Sequence, residues 1–268
     1  MMNYDVVTCG FASVPLPWLD RSSESGLPDP ASSGFLDAAF TALDGLDWDR
    51  RVLVVYPASR AASHRLGVLR ASLRNPFVVP VGLPQPVTGL AGTASWLAAL
   101  AERGVSAGAA LASIDAISAH LPTYAVTTSV AGLEMPEVRL RHHMLSWVPG
   151  TMFSISMTDT TLVEFGAASP SRAPQPVAST VVWTGDERLA AKLGASTRAE
   201  VDRVELPAAE SGPSRWRRAR FYEHCVVPHD VDAFVDRLAA TAFPPCTHCG
   251  EPMDRFCSFC LSQEGALA

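Results

Sequence analysis

Lysine is almost missing from this sequence: Lys192 is its one example among 21 basic residues, a composition bias that carries no functional information. Positive charge as a whole is in short supply, since 27 acidic residues leave a net charge of −6. No overall basic field draws the chain to nucleic acid or anionic lipid, and any such binding has to be local. Long apolar runs are absent as well. The longest Ala/Leu-rich stretch, Ala94 to Leu121, is broken by Glu102, Arg103, Asp115 and His120, which a lipid-facing span of about 20 residues does not carry without partners. Met1 to Val14 holds no basic segment leading into an apolar run and a small-residue cleavage site, so the expected setting is a reducing cytoplasm, with no membrane association. Gly-x-Gly-x-x-Gly, Walker and His-Glu-x-x-His sequences do not occur, which removes the usual support for nucleotide cofactors and for a zinc-hydrolase helix. What remains is a folded chain, 48% hydrophobic and 18% charged, long enough to build a core without disulfide staples.

Cysteine is where the sequence concentrates its chemistry. Four of the six cysteines, Cys246, Cys249, Cys257 and Cys260, fall in the segment CTHCGEPMDRFCSFC. A two-residue gap lets both thiolates of one knuckle reach the same ion, and two such knuckles complete a tetrahedral site with Zn–S bonds of about 2.3 Å. Gly250 permits the tight backbone that follows a knuckle, and Pro252 aims the connecting hairpin. The segment resembles the short zinc ribbons of bacterial proteins, in which Cys-x2-Cys-Gly is followed by a hairpin with proline and then Phe-Cys-x2-Cys; Gly250, Pro252 and Phe256 match along with the cysteines. The resemblance implies one structural Zn2+. Four thiolates close the coordination sphere and leave no open position for catalysis.

The rest of the chain reads as α+β: a mixed α/β body with a βαβ unit, a helical hairpin and an antiparallel β meander, followed by the ribbon. Arg51 to Tyr56, Ser59 to Asn75 and Phe77 to Val81 form the expected strand, helix and strand. Thr93 to Arg103 and Ser106 to His120 form the hairpin, with Gly104 in the left-handed position after the first helix and Ser106 capping the second. The meander is expected over Tyr124 to Val130, Glu137 to Val148, Thr151 to Met157 and Thr161 to Phe165, with Pro149-Gly150 as a hairpin turn. Three regions follow: a body over 1–168, a smaller α/β segment over 169–243 after the Pro-rich connector Gly166 to Ser179, and the ribbon over 244–262.

Weaker signals carry three functional readings. Leu100 to Ser118 has the outline of a helix-turn-helix, but its second helix lacks the side chains that read bases. Arg215, Trp216, Arg217 and Arg218, running on to Arg220, are the one basic cluster and could join the ribbon in a nucleic-acid surface, although arginines in an acidic chain more commonly pair with carboxylates. Cys9, His142 and His224 are the residues an enzyme pocket near the first strands would use, and adjacent His142 and His143 on a strand would point to opposite faces. The leading expectation is a non-catalytic interaction or assembly protein, an adaptor whose ribbon docks on a partner protein through an apolar patch of Met253, Phe256, Phe259 and Leu261.

Overall fold

Strands β1 (Tyr4–Thr8), β2 (Arg51–Pro57) and β3 (Val78–Leu83) pair in parallel in the order β1-β2-β3. The coordinates are a computed structural model that describes residues 4–11, 26–44, 50–73, 77–131, 133, 137–158, 161–165, 178–192, 202–206, 220–254 and 256–261. Most of residues 13–33, nearly all of the Gly166 to Ser179 connector, residues 208–214 and the cluster Arg215, Trp216, Arg217 and Arg218 lie outside the described residues. Among the described residues, no helix is long and apolar enough to cross a membrane.

Two compact units divide the chain, and both are discontinuous. The first takes Met1–Pro84, Thr93–Ser118 and Asp230–Ala268; the second takes Gln85–Gly92 and Ala119–His229. In the first unit β2 is the middle strand and is buried from Arg51 to Tyr56, as a strand covered on both faces must be. Helix α1 (Phe35–Asp44) and helix α2 (Arg60–Leu73) pack Phe35, Leu43, Leu66 and Leu69 against Val7, Val52 and Val54 of the sheet. The segment β2-α2-β3 is the expected βαβ unit.

The helical region begins earlier than its sequence pattern indicates. Helix α3 (Val87–Glu102) starts at Val87 because Pro86, which has no N–H to satisfy, offers its carbonyl to Leu90 at 2.9 Å and opens the first turn. Every residue from Thr88 to Leu100 is buried, the signature of a helix enclosed on all sides. Gly104 adopts φ +74 and Ser106 accepts from Ala109 N at 3.3 Å, both as expected. The second helix of the hairpin is two short ones, α4 (Ala107–Ala112) and α5 (Ile114–His120). At the break Ser113 turns its hydroxyl back to Ala109 O at 2.7 Å, the side-chain-to-backbone bond by which serine disturbs a helix interior.

The second unit is a six-stranded sheet ordered β6-β5-β4-β9-β7-β8, comprising β4 (Thr123–Thr127), β5 (Met152–Ser156), β6 (Thr161–Phe165), β7 (Ser179–Gly185), β8 (Asp202–Glu205) and β9 (Phe221–Pro228). All pairs are antiparallel except β7 with β8. The expected strand over Glu137 to Val148 is instead helix α6 (Leu140–Leu145). His142 is its buried residue and accepts from Arg139 N at 3.2 Å, fixing the first turn, while Leu140, Met144, Trp147 and Val148 are exposed at helical rather than alternating spacing. Pro149-Gly150 therefore leads from a helix into β5 and joins no hairpin. Helix α7 (Glu187–Lys192) connects β7 to its parallel neighbour β8. Helix α8 (Val231–Ala239) belongs to the first unit and is capped by Asp230, whose carboxylate accepts from Ala233 N at 3.2 Å.

Candidate functional site

The four C-terminal cysteines converge. Their sulfurs all lie within 4.8 Å of one another, with Cys246 to Cys260 at 3.3 Å, Cys249 to Cys257 at 3.5 Å and Cys249 to Cys260 at 3.9 Å. A tetrahedral ion bonded to each sulfur at about 2.3 Å spaces them at about 3.8 Å, whereas a disulfide needs about 2.05 Å. The arrangement suits one metal ion and does not suit two disulfides.

The two knuckles repeat one backbone device. Gly250 N donates to Cys246 O and Leu261 N to Cys257 O, each at 2.8 Å, and the residue that follows each knuckle has positive φ, +75 at Gly250 and +58 at Leu261. This curl turns backbone N–H groups toward sulfur: that of Glu251 to Cys249, and those of Phe259 and Cys260 to Cys257. Among the described residues, Pro245 and Pro252 form an antiparallel bridge in the hairpin. Burial pushes the Cys249 thiol up to about 12, so a divalent cation entering the site must displace protons, which makes binding weaken at low pH.

The ribbon lies against the sheet of the first unit. Arg51, at the start of β2 and only 5% exposed, forms an ion pair with Glu251 and sets its guanidinium 4.5 Å from the centre of the Phe259 ring. Glu251 also accepts from Gly108 N at 3.1 Å, and Arg70 donates to Phe259 O at 2.5 Å. Gly108 has to be glycine here, because a Cβ would stand 2.4 Å from Pro252 O. None of Arg51, Arg70, Gly108 and Glu251 announces itself in the sequence, since the contact between Arg51 and Glu251 spans a separation of 200 residues. Met253 and Phe259 are 6% and 5% exposed, so they are committed to internal packing; Phe256 and Leu261 stay exposed. The expected apolar docking patch is thereby broken up.

Within each unit, and among the described residues, the other candidate residues do not assemble into a catalytic group. Cys9 lies in the first unit, where burial and then Asp29 push its thiol up to about 12, and its sulfur faces Pro28 O at 3.4 Å. His142 and His224 both belong to the second unit, on opposite faces of its sheet. His142 meets Phe153, which stands opposite Thr127, while His224 stands opposite Tyr124 on the alternate face. Cys225 is buried and also pushed up to about 12. Gly104-Val105-Ser106-Ala107-Gly108 has the spacing of a nucleophile elbow, yet Ser106 follows a helix rather than a strand and spends its hydroxyl as a helix cap. Arg220, at the end of the basic cluster, pairs with Asp186 at 2.8 Å, as an arginine in an acidic chain is expected to do.

Two buried polar features of the second unit carry no motif. Thr88, in the first turn of α3, donates its N–H at 3.0 Å and its hydroxyl at 2.8 Å to the buried carboxylate of Glu223 on β9. The acceptor that the open N–H groups of a helix start call for is thus supplied from within the chain. His224 sits between Tyr124 and Tyr222, with ring centres at 5.5 and 5.4 Å, and its Nδ1 has no partner among the described residues. Burial, and secondarily Arg203, pushes its pKa down to about 4. Because the unfolded chain takes up that proton near pH 6.5, stability is complete above about pH 6.5 and is lost as pH falls toward 4. Between about pH 7 and 5, at about 1.4 kcal/mol per unit, the wild type is expected to lose ~2 kcal/mol more than a His224→Phe variant in urea unfolding. Equal losses would place the protonation elsewhere.

No protein-family model matches the chain, and no curated protein matches it. Solved structures do. A structure describing fatty acid binding of a DegV family protein from Thermus thermophilus aligns with a TM-score of 0.55 at 13% identity, over 85% of this chain and 100% of that one. The fold is that of DegV family proteins. The same DegV-like fold aligns with the Streptococcus pneumoniae fatty acid kinase (Fak) B3 protein loaded with linoleic acid, with a TM-score of 0.55 at 12% identity over 84% of this chain and 99% of that one. It aligns as well with a Thermotoga maritima protein whose structure reveals fatty acid binding function, with a TM-score of 0.52 at 11% identity over 85% and 100%. These likenesses overturn the expectation of an adaptor or assembly protein that docks through its ribbon. The DegV-like fold extends over most of the chain, several solved structures with that fold are described by fatty acid binding, and the ribbon is packed into the first unit.

Proposed function

We propose that this chain binds a long-chain fatty acid and carries one structural Zn2+ held by Cys246, Cys249, Cys257 and Cys260. The observation that carries the first part is the alignment of the fold, over 84–85% of this chain, with structures described by fatty acid binding. By the same likeness, a component of a fatty acid kinase system is the class of protein partner this reading adds. The zinc part rests on the donor set and the sulfur spacing, which suit a d10 ion that prefers four thiolates.

The test is a titration of the delipidated full chain with a fluorescent fatty acid, followed by displacement with linoleate. Saturable 1:1 binding with a Kd of about 1 μM or below is expected, and linoleate should displace the probe. No saturable binding up to roughly 100 μM, together with no fatty acid in organic extracts of the purified protein, would end the fatty-acid reading. Elemental analysis addresses the metal independently, with one zinc per chain expected.

A further inference from the structure

We infer that the metal site is a clasp on the first unit, so that zinc occupancy sets the local stability of strand β2 and helix α4 and lets this fold respond to zinc supply. The inference rests on the structural-zinc reading above and names what that zinc regulates. Each knuckle carries one anchor. Glu251 follows the first knuckle and its N–H points at Cys249; Phe259 lies inside the second and its N–H points at Cys257. Both anchors meet the same guanidinium: Arg51 pairs with the Glu251 carboxylate and stacks on the Phe259 ring. Glu251 then reaches on to Gly108 N in α4.

Within the ribbon, the Pro245 to Pro252 bridge belongs to the hairpin of the first knuckle, while the second knuckle is tied to the first unit by Arg70 at Phe259 O and by Arg51 on the Phe259 ring, and to the first knuckle through the sulfur cluster that the ion would join. With zinc bound, the two anchors keep a fixed separation that fits Arg51. With zinc removed, the tie between the knuckles is lost and only their separate contacts with the first unit remain, so keeping both anchors on Arg51 costs more conformational entropy. Arg51 opens the middle strand of the parallel sheet, in register with Tyr4 of β1. A ligand that binds only the assembled state stabilises whatever that assembly holds in place. The buried ion pair makes the coupling strong, because loss of its partner leaves Arg51 charged and enclosed.

Hydrogen exchange on the full chain, with zinc measured on the same preparation, tests this. Removing zinc with EDTA is expected to speed exchange in β2 and α4 by about tenfold or more while β9, in the other unit, is unchanged. In Arg51→Met, zinc should still bind 1:1 but its removal should change β2 and α4 by less than about threefold. If Arg51→Met does not fold, Phe259→Leu, which keeps all four cysteines, takes its place with the same expectation. Zinc bound 1:1 with unaltered β2 and α4 exchange on its removal overturns the clasp and leaves the zinc reading standing. So does acceleration that includes β9 equally, or a full zinc effect in the variant. A preparation that takes up no zinc overturns both.

Discussion

Cys257→Ser is expected to weaken zinc binding by more than about 100-fold, read by competition with a chromophoric chelator. The side chain is 1% exposed and accepts two backbone N–H groups, so the serine oxygen would inherit a pocket shaped for a larger and softer atom. Cys260→Ser is the necessary companion. Cys260 is exposed, and its replacement leaves no buried void, yet it should weaken zinc binding to a similar degree because coordination rather than packing is lost. If only the buried cysteine mattered, the four sulfurs would be core atoms and not a ligand set.

Trp96→Ala should destabilise the first unit by about 3–5 kcal/mol, the range for emptying a large aromatic site in a core. Trp96 is fully buried in α3 and meets Phe234 of α8 edge-on, with ring centres 5.0 Å apart at 70°. Hydrogen exchange in α8 reads the loss directly, and protection there should fall with the unit. A change under about 1 kcal/mol would mean that other side chains, not this pair, hold the helices together.

The parts of this protein that were legible in its sequence are those decided by neighbours along the chain. The cysteine spacing is one: two residues between thiols and a glycine after the knuckle already determine which atoms can share an ion, and the sulfurs do converge. The βαβ unit from β2 to β3 is another, because a buried strand, a helical stripe and a second buried strand each have a period of their own. Gly104, Ser106 and Asp230 behave as helix punctuation for the same reason. Helix α6 went the other way. Its exposed Leu140 and Met144, an even number of residues apart, mimic one face of a strand when burial is assumed for every apolar residue.

The proposed ligand class was not legible, and the cause is physical. Binding an acyl chain draws on apolar surface gathered from many segments, which leaves no motif, and the fold that suggests it is matched at only 11–13% identity. The same holds for Arg51 with Glu251 and for Thr88 with Glu223, pairs that meet across separations of 200 and 135 residues. Spacing along the backbone was enough to name a metal site and its four ligands as a chemical possibility. Whether that site stands apart as a docking knob or is sewn into a larger body was settled by packing, because a buried charge finds its partner through three-dimensional proximity that no local pattern records.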